Sequence, residues 1–406
     1  MTHASTLLPA PAVQKPGDGD GDGGDRARAA RSTRRPPAVV YALGLFVLVR
    51  LIGVLVLAGA ARAHGRHPLA LLGRSWDSLW YLGIAAHGYV RVQHLRPTVV
   101  HSDLAFFPLY PGLVRAVTTV VPLSGGAAGL VVSWLAAGAA ACGIYAIGAR
   151  LHGRAVGTAL VLLWGLLPHS VVLSLAYTEP VLTAFAAWSL YAVLTGRWLW
   201  AGTLAALAGL SRPNGCAVAA AVLAAAACEV WRRRGRKVPH SLWTGAALAP
   251  LGWCGYVLWV GRRRGDPLGG YFEVQRLWGS RFDFGVGALR FVRHLLLRGD
   301  RFVFPMALVI VAVAVLLYAL LIADRAPLPL LVHSGVLLLV ALGGAGFFEC
   351  KPRFLLPAFP LLLPLARALV RTARARPWHA VLVVGALAGL SFAYGAYLVV
   401  IARTPL

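Results

Sequence analysis

The chain has 406 residues, of which 59% are hydrophobic and only 13% are charged, and its mean hydropathy is +0.71. Because a soluble globular protein carries about 25% charged residues, this composition excludes a soluble protein and predicts an all-α, polytopic membrane protein. The net charge of +25 fits binding to anionic membrane lipids, and no basic soluble module that would bind nucleic acid is visible.

Residues 1–37 are rich in Pro, Gly, Asp, Ala and Arg and have no periodic apolar pattern, so they predict a disordered cytoplasmic tail. Within the tail, residues 18–25 alternate Asp with Gly but lack the flanking helices and the last Glu of a calcium-binding loop. The cysteines form no CxxC pair that would indicate a zinc site. We therefore predict no metal site and no cofactor; a divalent metal is compatible with the sequence but not indicated by it.

Residues 38–406 are predicted to form one membrane domain of about 11 transmembrane helices plus interfacial helices. The predicted spans are about 38–61, 127–149, 154–174, 177–195, 198–211, 214–230, 241–261, 302–323, 328–346, 353–370 and 378–401. The two longest connections, 62–126 and 262–301, are predicted to be external loops. Basic residues in short loops tend to lie in the cytoplasm. The basic run 232–237 lies there only if the Pro-containing segment 104–121 does not cross the bilayer. We therefore place the N-terminus of a multi-pass cell-membrane protein in the cytoplasm, while a crossing by 104–121 stays open.

The first external loop contains the segment 74–89, which combines several aromatic residues with a single carboxylate, Asp77. Trp and Tyr favour the boundary between lipid and water, so Trp76, Trp80 and Tyr81 predict a short helix on the membrane surface. An acidic residue beside the bilayer is costly and is usually functional, which makes Asp77 a candidate catalytic group. The alternative is an interfacial anchor whose Asp only caps or solvates a turn.

Polar residues at the ends of later spans converge on the same external side in this topology, as the groups of a binding site do. These residues are Tyr177, Glu179, Arg212, Asn214, Glu349, Lys351 and Arg353. Asp77 is predicted to act as a general base with assistance from Glu179, while the cationic side chains neutralise a leaving phosphate. The other polar residues and the aromatic residues around Asp77 are predicted to bind substrate. Alternatively, Glu179 only pairs with an Arg of a neighbouring helix, and the cations only lie at the headgroup level.

Two further groups in the external loops carry weaker signals. Gln275, Arg276 and Trp278 in the second loop are compatible with binding of a sugar or a lipid headgroup. His87, His94 and His101 have no ligand-like spacing and are predicted to be surface residues. The chain lacks a Walker A motif, a dinucleotide-binding GxGxxG and a soluble nucleotide-sugar domain, so any sugar donor should be lipid-linked.

Several blocks of the chain resemble the PIG-V family of mannosyltransferases, in the family's order and over roughly residues 40–400. The blocks are Trp76-Asp77 with Trp80-Tyr81, Ile84-Ala85 and Gly88-Tyr89; Phe106 to Pro111; Tyr177 to Glu179; Arg212 to Gly215; and Arg353 to Pro357 with Pro360. Thr178 and Pro213 stand where the family pattern has Ser. The Arg-rich and Ala-rich composition suggests a bacterial member, in which the GPI anchor made by eukaryotic members is not expected.

The resemblance implies a GT-C-type glycosyltransferase, which is a multi-span enzyme that uses a polyprenyl-phosphate sugar. It implies that Asp77 is the base of an inverting displacement at the outer face, with polyprenyl-phosphate mannose as donor and a lipid, glycan or protein as acceptor. A transporter or flippase of lipid-linked sugar is the alternative, but such proteins usually have inverted repeats or paired broken helices, and no internal repeat is visible. In a third alternative, a non-catalytic scaffold, the clustering of polar residues would be accidental.

Overall fold

The computed structural model describes residues 38–96, 99–299 and 301–402, and the predicted tail, residues 1–37, lies outside them. The described chain is mostly helical and has almost no sheet, which confirms the predicted all-α class. The helices of the first half are α1 (Ala38–Ala63), α2 (Pro68–Gly73), α3 (Asp77–His87), α4 (Leu109–Val120), α5 (Gly125–His152), α6 (Arg154–Gly165), α7 (Glu179–Leu194), α8 (Trp198–Gly209) and α9 (Cys216–Arg232).

The second half is helical in the same way. Its helices are α10 (His240–Leu248), α11 (Leu251–Arg263), α12 (Gly270–Leu277), α13 (Val286–Arg298), α14 (Val303–Ala323), α15 (Leu328–Gly343), α16 (Lys351–Phe354), α17 (Leu363–Ala375) and α18 (Pro377–Ala396), which continues as a π-helix over Tyr397–Ala402. Short 3-10 turns lie at Asp103–Ala105, Ser170–Ser174, Pro213–Gly215, Phe348–Cys350 and Phe359–Leu362.

Local sequence signals set several helix ends. The Ser124 side chain accepts a hydrogen bond from the Ala127 backbone N–H at 3.3 Å and so caps the start of α5. Gly153, with φ 89°, lies between α5 and α6 in a conformation that a residue with a side chain rarely adopts. Pro180 occupies the first turn of α7, where its missing N–H removes no helical hydrogen bond.

Five helical segments are long and apolar enough to cross a membrane, and the bent pair Phe348–Phe354 and Phe359–Ala375 adds a sixth if it forms one span. Within the described residues, the predicted number of about 11 spans is therefore wrong. Helices α6, α7, α8 and α15, which occupy four of the predicted spans, have only 12, 16, 12 and 16 residues. At about 1.5 Å per residue they measure roughly 18–24 Å, less than the ~30 Å hydrocarbon core. With 12 residues, α4 is also too short to cross.

Two short antiparallel ladders organise the long loops. Strand β1 (Val92–Arg96) pairs with β2 (Val99–Ser102), which folds the first loop back on itself. Strand β3 (Arg281–Phe282) pairs with β4 (Gly344–Ala345), which joins the second loop to the end of α15. The second ladder therefore holds the second loop to the end of α15, while the first ladder only joins two parts of the first loop.

Close helix packing forms the core beneath these loops, with α5 lying against α6 and α7. A Cβ atom added at Gly148 of α5 would lie 2.8 Å from the Cα of Gly157 in α6, so only a small residue permits this approach. The buried side chain of Arg50 in α1 donates hydrogen bonds to two hydroxyls in the core. Its Nη1 donates to the Ser170 hydroxyl at 2.7 Å, and its Nε donates to the Ser174 hydroxyl at 3.1 Å. Arg50 therefore faces protein and not lipid, as a charge within an apolar helix usually does.

Candidate active site

Asp77 is the first residue of α3, and an unusual backbone conformation precedes it. Trp76 has φ 45° and ψ −111°, a strained conformation that costs a residue with a side chain about 1–3 kcal/mol. The N-terminus of a helix carries partial positive charge, which favours the Asp77 carboxylate at this position. The Asp77 side chain keeps 22% of its surface exposed, so a ligand can reach it.

Four charged side chains form a continuous row of alternating sign, which we call the charged ladder: Asp77, Arg353, Glu179 and Arg212. Arg353 Nη1 donates to Asp77 Oδ2 at 2.7 Å, and Arg353 Nε lies 3.2 Å from Glu179 Oε1. Arg212 Nη1 donates to the same Glu179 oxygen at 2.5 Å. The Glu179 side chain is only 1% exposed, so its pairing with the two guanidiniums is poorly screened by water.

Ends and breaks of helices bring the charged ladder together. Glu179 is the first residue of α7, and Arg212 lies between the end of α8 and the Pro213–Gly215 turn. Arg353 lies in α16, where the chain bends by 77° before the next helical segment. The ring of Phe354 packs against both cations, with its centroid 5.6 Å from Arg212 Cζ and 5.4 Å from Arg353 Cζ. One aromatic ring therefore helps to fix both guanidiniums.

A cavity of about 1010 Å³ lies over the charged ladder, a volume at the upper end of the range for ligand sites. The predicted site residues that line it are Trp76, Asp77, Trp80, Tyr81, Arg212, Asn214, Lys351 and Arg353. Burial raises the pKa of Tyr81 above its ordinary value, so its hydroxyl keeps its proton at neutral pH. The first long loop and two later helix ends, which the sequence predicts to converge, thus meet around one space.

Three predicted site residues, Tyr177, Glu179 and Glu349, are not among the described residues that line the cavity. Glu179 lies behind Arg212 and Arg353, where it organises them instead of facing a ligand. Tyr177 is fully buried, and its ring centroid is 5.4 Å from Arg353 Cζ. These positions favour a supporting role for Tyr177 and Glu179 over direct contact with substrate.

An aromatic cluster, formed by Trp80, His101 and Trp278, lines another part of the cavity. The rings of His101 and Trp278 are stacked with centroids 3.9 Å apart, and Trp278 meets Trp80 edge-on at 5.1 Å. Trp278 Nε1 also donates to the Ser102 carbonyl at 3.0 Å, which joins the two long loops. Partial burial lowers the pKa of His101 below its ordinary value.

His101 is thus not the isolated surface residue that its spacing predicts. Its partner Trp278 lies in the other long loop, and no local pattern in the sequence indicates that the two loops meet. Arg91 is a second cavity residue that the sequence did not predict. Its Cζ atom lies 4.5 Å from the centroid of the Trp80 ring, in a cation–π contact at the cavity wall. The aromatic content of the loops was the only signal that pointed toward this cluster.

An apolar groove of about 370 Å³ adjoins the cavity. It runs among α13, α14 and α15, and its lining is apolar except for Lys351. Lys351 and Phe282 line both the groove and the cavity, so they mark the junction between the two spaces. Lys351 Nζ donates to the Gly344 carbonyl at 2.9 Å, which uses one of its three N–H donors.

Comparisons with known proteins give only distant likenesses. The chain is similar to the Archaeoglobus fulgidus oligosaccharyltransferase crystallised with zinc and sulfate, at 13% identity and a TM-score of 0.46, covering 88% of this chain and 54% of that one. It is similar to the archaeal oligosaccharyltransferase AglB from Archaeoglobus fulgidus in complex with an inhibitory peptide and a dolichol-phosphate, at 12% identity and a TM-score of 0.45, covering 88% of this chain and 55% of that one. The chain thus spans about half the length of these structures, and TM-scores below 0.5 do not establish a shared fold. No family model and no curated protein matches the chain.

Proposed function

We propose that the chain is a membrane glycosyltransferase of the GT-C type that moves a mannosyl residue from a polyprenyl-phosphate donor to a lipid, glycan or protein acceptor at the outer face. The observation that carries this proposal is the charged ladder beside a cavity that shares two lining residues, Phe282 and Lys351, with an apolar groove. The resemblance to PIG-V mannosyltransferases supplies the sugar and the lipid carrier. The two proposed substrates need a base, an anion site and a place for an isoprenoid tail.

The charge distribution supports a phosphate at the junction of cavity and groove. The charged ladder is neutral as a set, because Arg212 and Arg353 are balanced by Asp77 and Glu179. Lys351 adds a positive charge at the mouth of the apolar groove. A polyprenyl phosphate has an anionic head and an apolar tail, which match a cation beside an apolar channel. Each guanidinium has five N–H donors, so the ladder contacts leave others for the phosphate oxygens.

The proposed reaction is a single displacement with inversion at the anomeric carbon. Asp77 accepts the proton of the acceptor hydroxyl while the acceptor oxygen forms a bond to the anomeric carbon. At the same time, the bond between the anomeric carbon and the phosphate oxygen breaks. The polyprenyl phosphate leaves with the electron pair, and Arg212, Arg353 and Lys351 stabilise its charge. Arg353 bonds to one oxygen of Asp77 at 2.7 Å and so orients the carboxylate toward the acceptor.

The test is transfer of labelled mannose from polyprenyl-phosphate mannose by the purified full-length protein, with product identified by mass. Asp77→Asn keeps the size of the side chain and leaves Arg353 paired with Glu179, so the protein should remain folded. We expect transfer to fall about 10²–10⁴-fold, which is the contribution of a positioned base. Asp324→Asn is the control, because Asp324 pairs with Arg367 away from the cavity and should not affect turnover. Near wild-type turnover by Asp77→Asn would refute the assignment of the base, and no transfer by the wild-type protein would refute the proposed activity.

A further inference from the structure

We infer that α13 is an interfacial helix whose exposed side binds anionic phospholipid headgroups at the boundary of the bilayer. The surface lies outside the charged ladder, and the inference does not depend on the proposed transferase activity. Helices that combine a basic face with an apolar edge lie in the plane of the membrane interface. Their apolar edge then contacts the acyl chains, and their basic side chains contact the headgroups.

The basic residues of α13 form a continuous band along its exposed side. Arg290, His294 and Arg298 follow one another at intervals of four residues, which puts them in one row, and Arg293 lies in the adjoining row. All four side chains are exposed. The helix contains no acidic residue, and within the described part of the chain no ion pair involves its arginines. The three guanidinium groups thus keep their charge available to an anionic partner.

Three leucine side chains beside this band are largely exposed. Leu289 and Leu296 are seven residues apart and lie on one side of the helix, and Leu297 lies between them and the basic row. They are 73%, 73% and 72% exposed. The opposite face is packed against protein, since the ring of Phe291 is stacked on that of Phe348 with centroids 4.6 Å apart. The leucines therefore form an apolar edge that the described residues leave uncovered and that acyl chains can cover.

The packing of α13 places it at the level of the membrane boundary. The next helix, α14, is long and apolar enough to cross a membrane, and Phe304 lies in its first turn. The ring of Phe291, near the middle of α13, lies 5.1 Å from that of Phe304 between centroids. Because a spanning helix begins where the hydrocarbon core meets the headgroups, this contact holds α13 beside the headgroups. At this depth, a phospholipid is the partner that matches both the leucines and the arginines.

The charge of α13 favours an anionic lipid over a zwitterionic one. Each Arg close to an anionic membrane surface raises the affinity about fivefold, so three raise it on the order of a hundredfold before screening by salt. Ala288, Leu289 and Val292 of the same helix line the apolar groove. The lipid contact therefore lies beside the groove, and α13 connects the groove to the bilayer surface.

Hydrogen–deuterium exchange of the full-length protein in nanodiscs tests the inference, with one copy of the chain in each disc. One set of discs contains phosphatidylcholine alone, and the other contains two parts of phosphatidylcholine to one part of phosphatidylglycerol. We expect the amides of residues 286–298 to exchange at least about tenfold more slowly with phosphatidylglycerol, because bound lipid opposes local opening of the helix. Exchange in α4, another short helix outside the candidate spans, should be the same in both discs.

Variants of the arginines separate charge from other effects. Arg290→Gln, Arg293→Gln and Arg298→Gln, combined in one protein, should abolish the difference between the discs. The three corresponding substitutions to Lys should preserve it, because they keep the charge. The matched control removes the same charge from the basic run 232–237, whose substituted side chains are exposed. Its substitutions are Arg232→Gln, Arg236→Gln and Lys237→Gln, and they should leave the difference at residues 286–298 unchanged.

Equal exchange of residues 286–298 in the two kinds of disc would overturn the inference. A difference that persists in the triple Gln variant of α13 would do the same, and so would an equal slowing of α4. If that variant does not fold, the wild-type protein is measured at about 1 M NaCl, where the Debye length falls to about 3 Å. The difference should then disappear, and its persistence would contradict an electrostatic contact. Since exchange needs no turnover, the outcome is independent of whether the protein transfers a sugar.

Discussion

Glu179 is the residue on which the stability of the charged ladder depends most, and Glu179→Gln tests this. One oxygen of Glu179 pairs with Arg212 at 2.5 Å and lies 3.2 Å from Arg353, and the side chain is 1% exposed. Removal of one partner from a buried ion pair costs about 3–5 kcal/mol, because the remaining charge stays buried without compensation. Arg353 retains Asp77, so most of this cost falls on Arg212.

The measurement is the apparent melting temperature of each variant in the same detergent. We expect Glu179→Gln to lower it more than Arg212→Gln does, because Glu179 keeps Arg353 when Arg212 is removed. The double variant, with both Glu179→Gln and Arg212→Gln, should lose less stability than the sum of the losses in the two single variants. The difference, which is the coupling energy of the pair, should be about 0.5–3 kcal/mol. Asp324→Asn is the matched control, since its pair with Arg367 has the same 2.7 Å geometry as Asp77–Arg353 but 38% and 35% exposure. A wild-type melting temperature for Glu179→Gln, or an equal loss in Asp324→Asn, would show that the ladder is not a buried electrostatic unit.

Two further variants, in addition to Asp77→Asn, address the support of the site. Trp76→Gly should be about 1–3 kcal/mol more stable than Trp76→Ala, because both lack the indole and only Gly adopts φ 45° without strain; equal thermal stability of the two would contradict the strain. Arg50→Met should destabilise the protein by about 1.5–3 kcal/mol through loss of its charged hydrogen bonds to Ser170 and Ser174. If Arg50→Met has the same free energy of unfolding as the wild-type protein, these hydrogen bonds only compensate for the cost of burying the charge.

The sequence predicted some of the residues that meet at the cavity, including Asp77, Arg212 and Arg353, but not others, such as Arg91 and His101. Asp77 lies in a polar loop, and Arg212 and Arg353 stand at breaks in apolar runs, so a topology that puts these breaks on one side brings them together. The structure places Arg353 within 2.7 Å of Asp77. The position of these charges at breaks in apolar runs carried this prediction, because the alternation of sides was based on about 11 spans and that number is wrong.

The number of spans could not be predicted in the same way. The apolar composition of a segment shows that it is compatible with the lipid bilayer, but it does not show whether the segment forms one unbroken helix. The run at 241–261 divides at Ala249–Pro250 into α10 and α11, and the run at 353–370 is bent by 77°. Buried contacts such as that between Gly148 and Gly157 arise only after the helices pack, and they determine which short helices are stable.

The role of Glu179 shows why the residues of a site are easier to predict than their geometry. A carboxylate at a helix start is equally compatible with contact to substrate and with support of an arginine. The choice is made by Arg212 and Arg353, which approach the same oxygen from different parts of the chain. Because Glu179 and Asp77 together neutralise the two buried guanidiniums, the site holds strong donors beside a cavity without a large excess of charge. An anionic ligand then has to be drawn in by a cation outside the ladder, and Lys351 is the one that stands where the cavity meets the apolar groove.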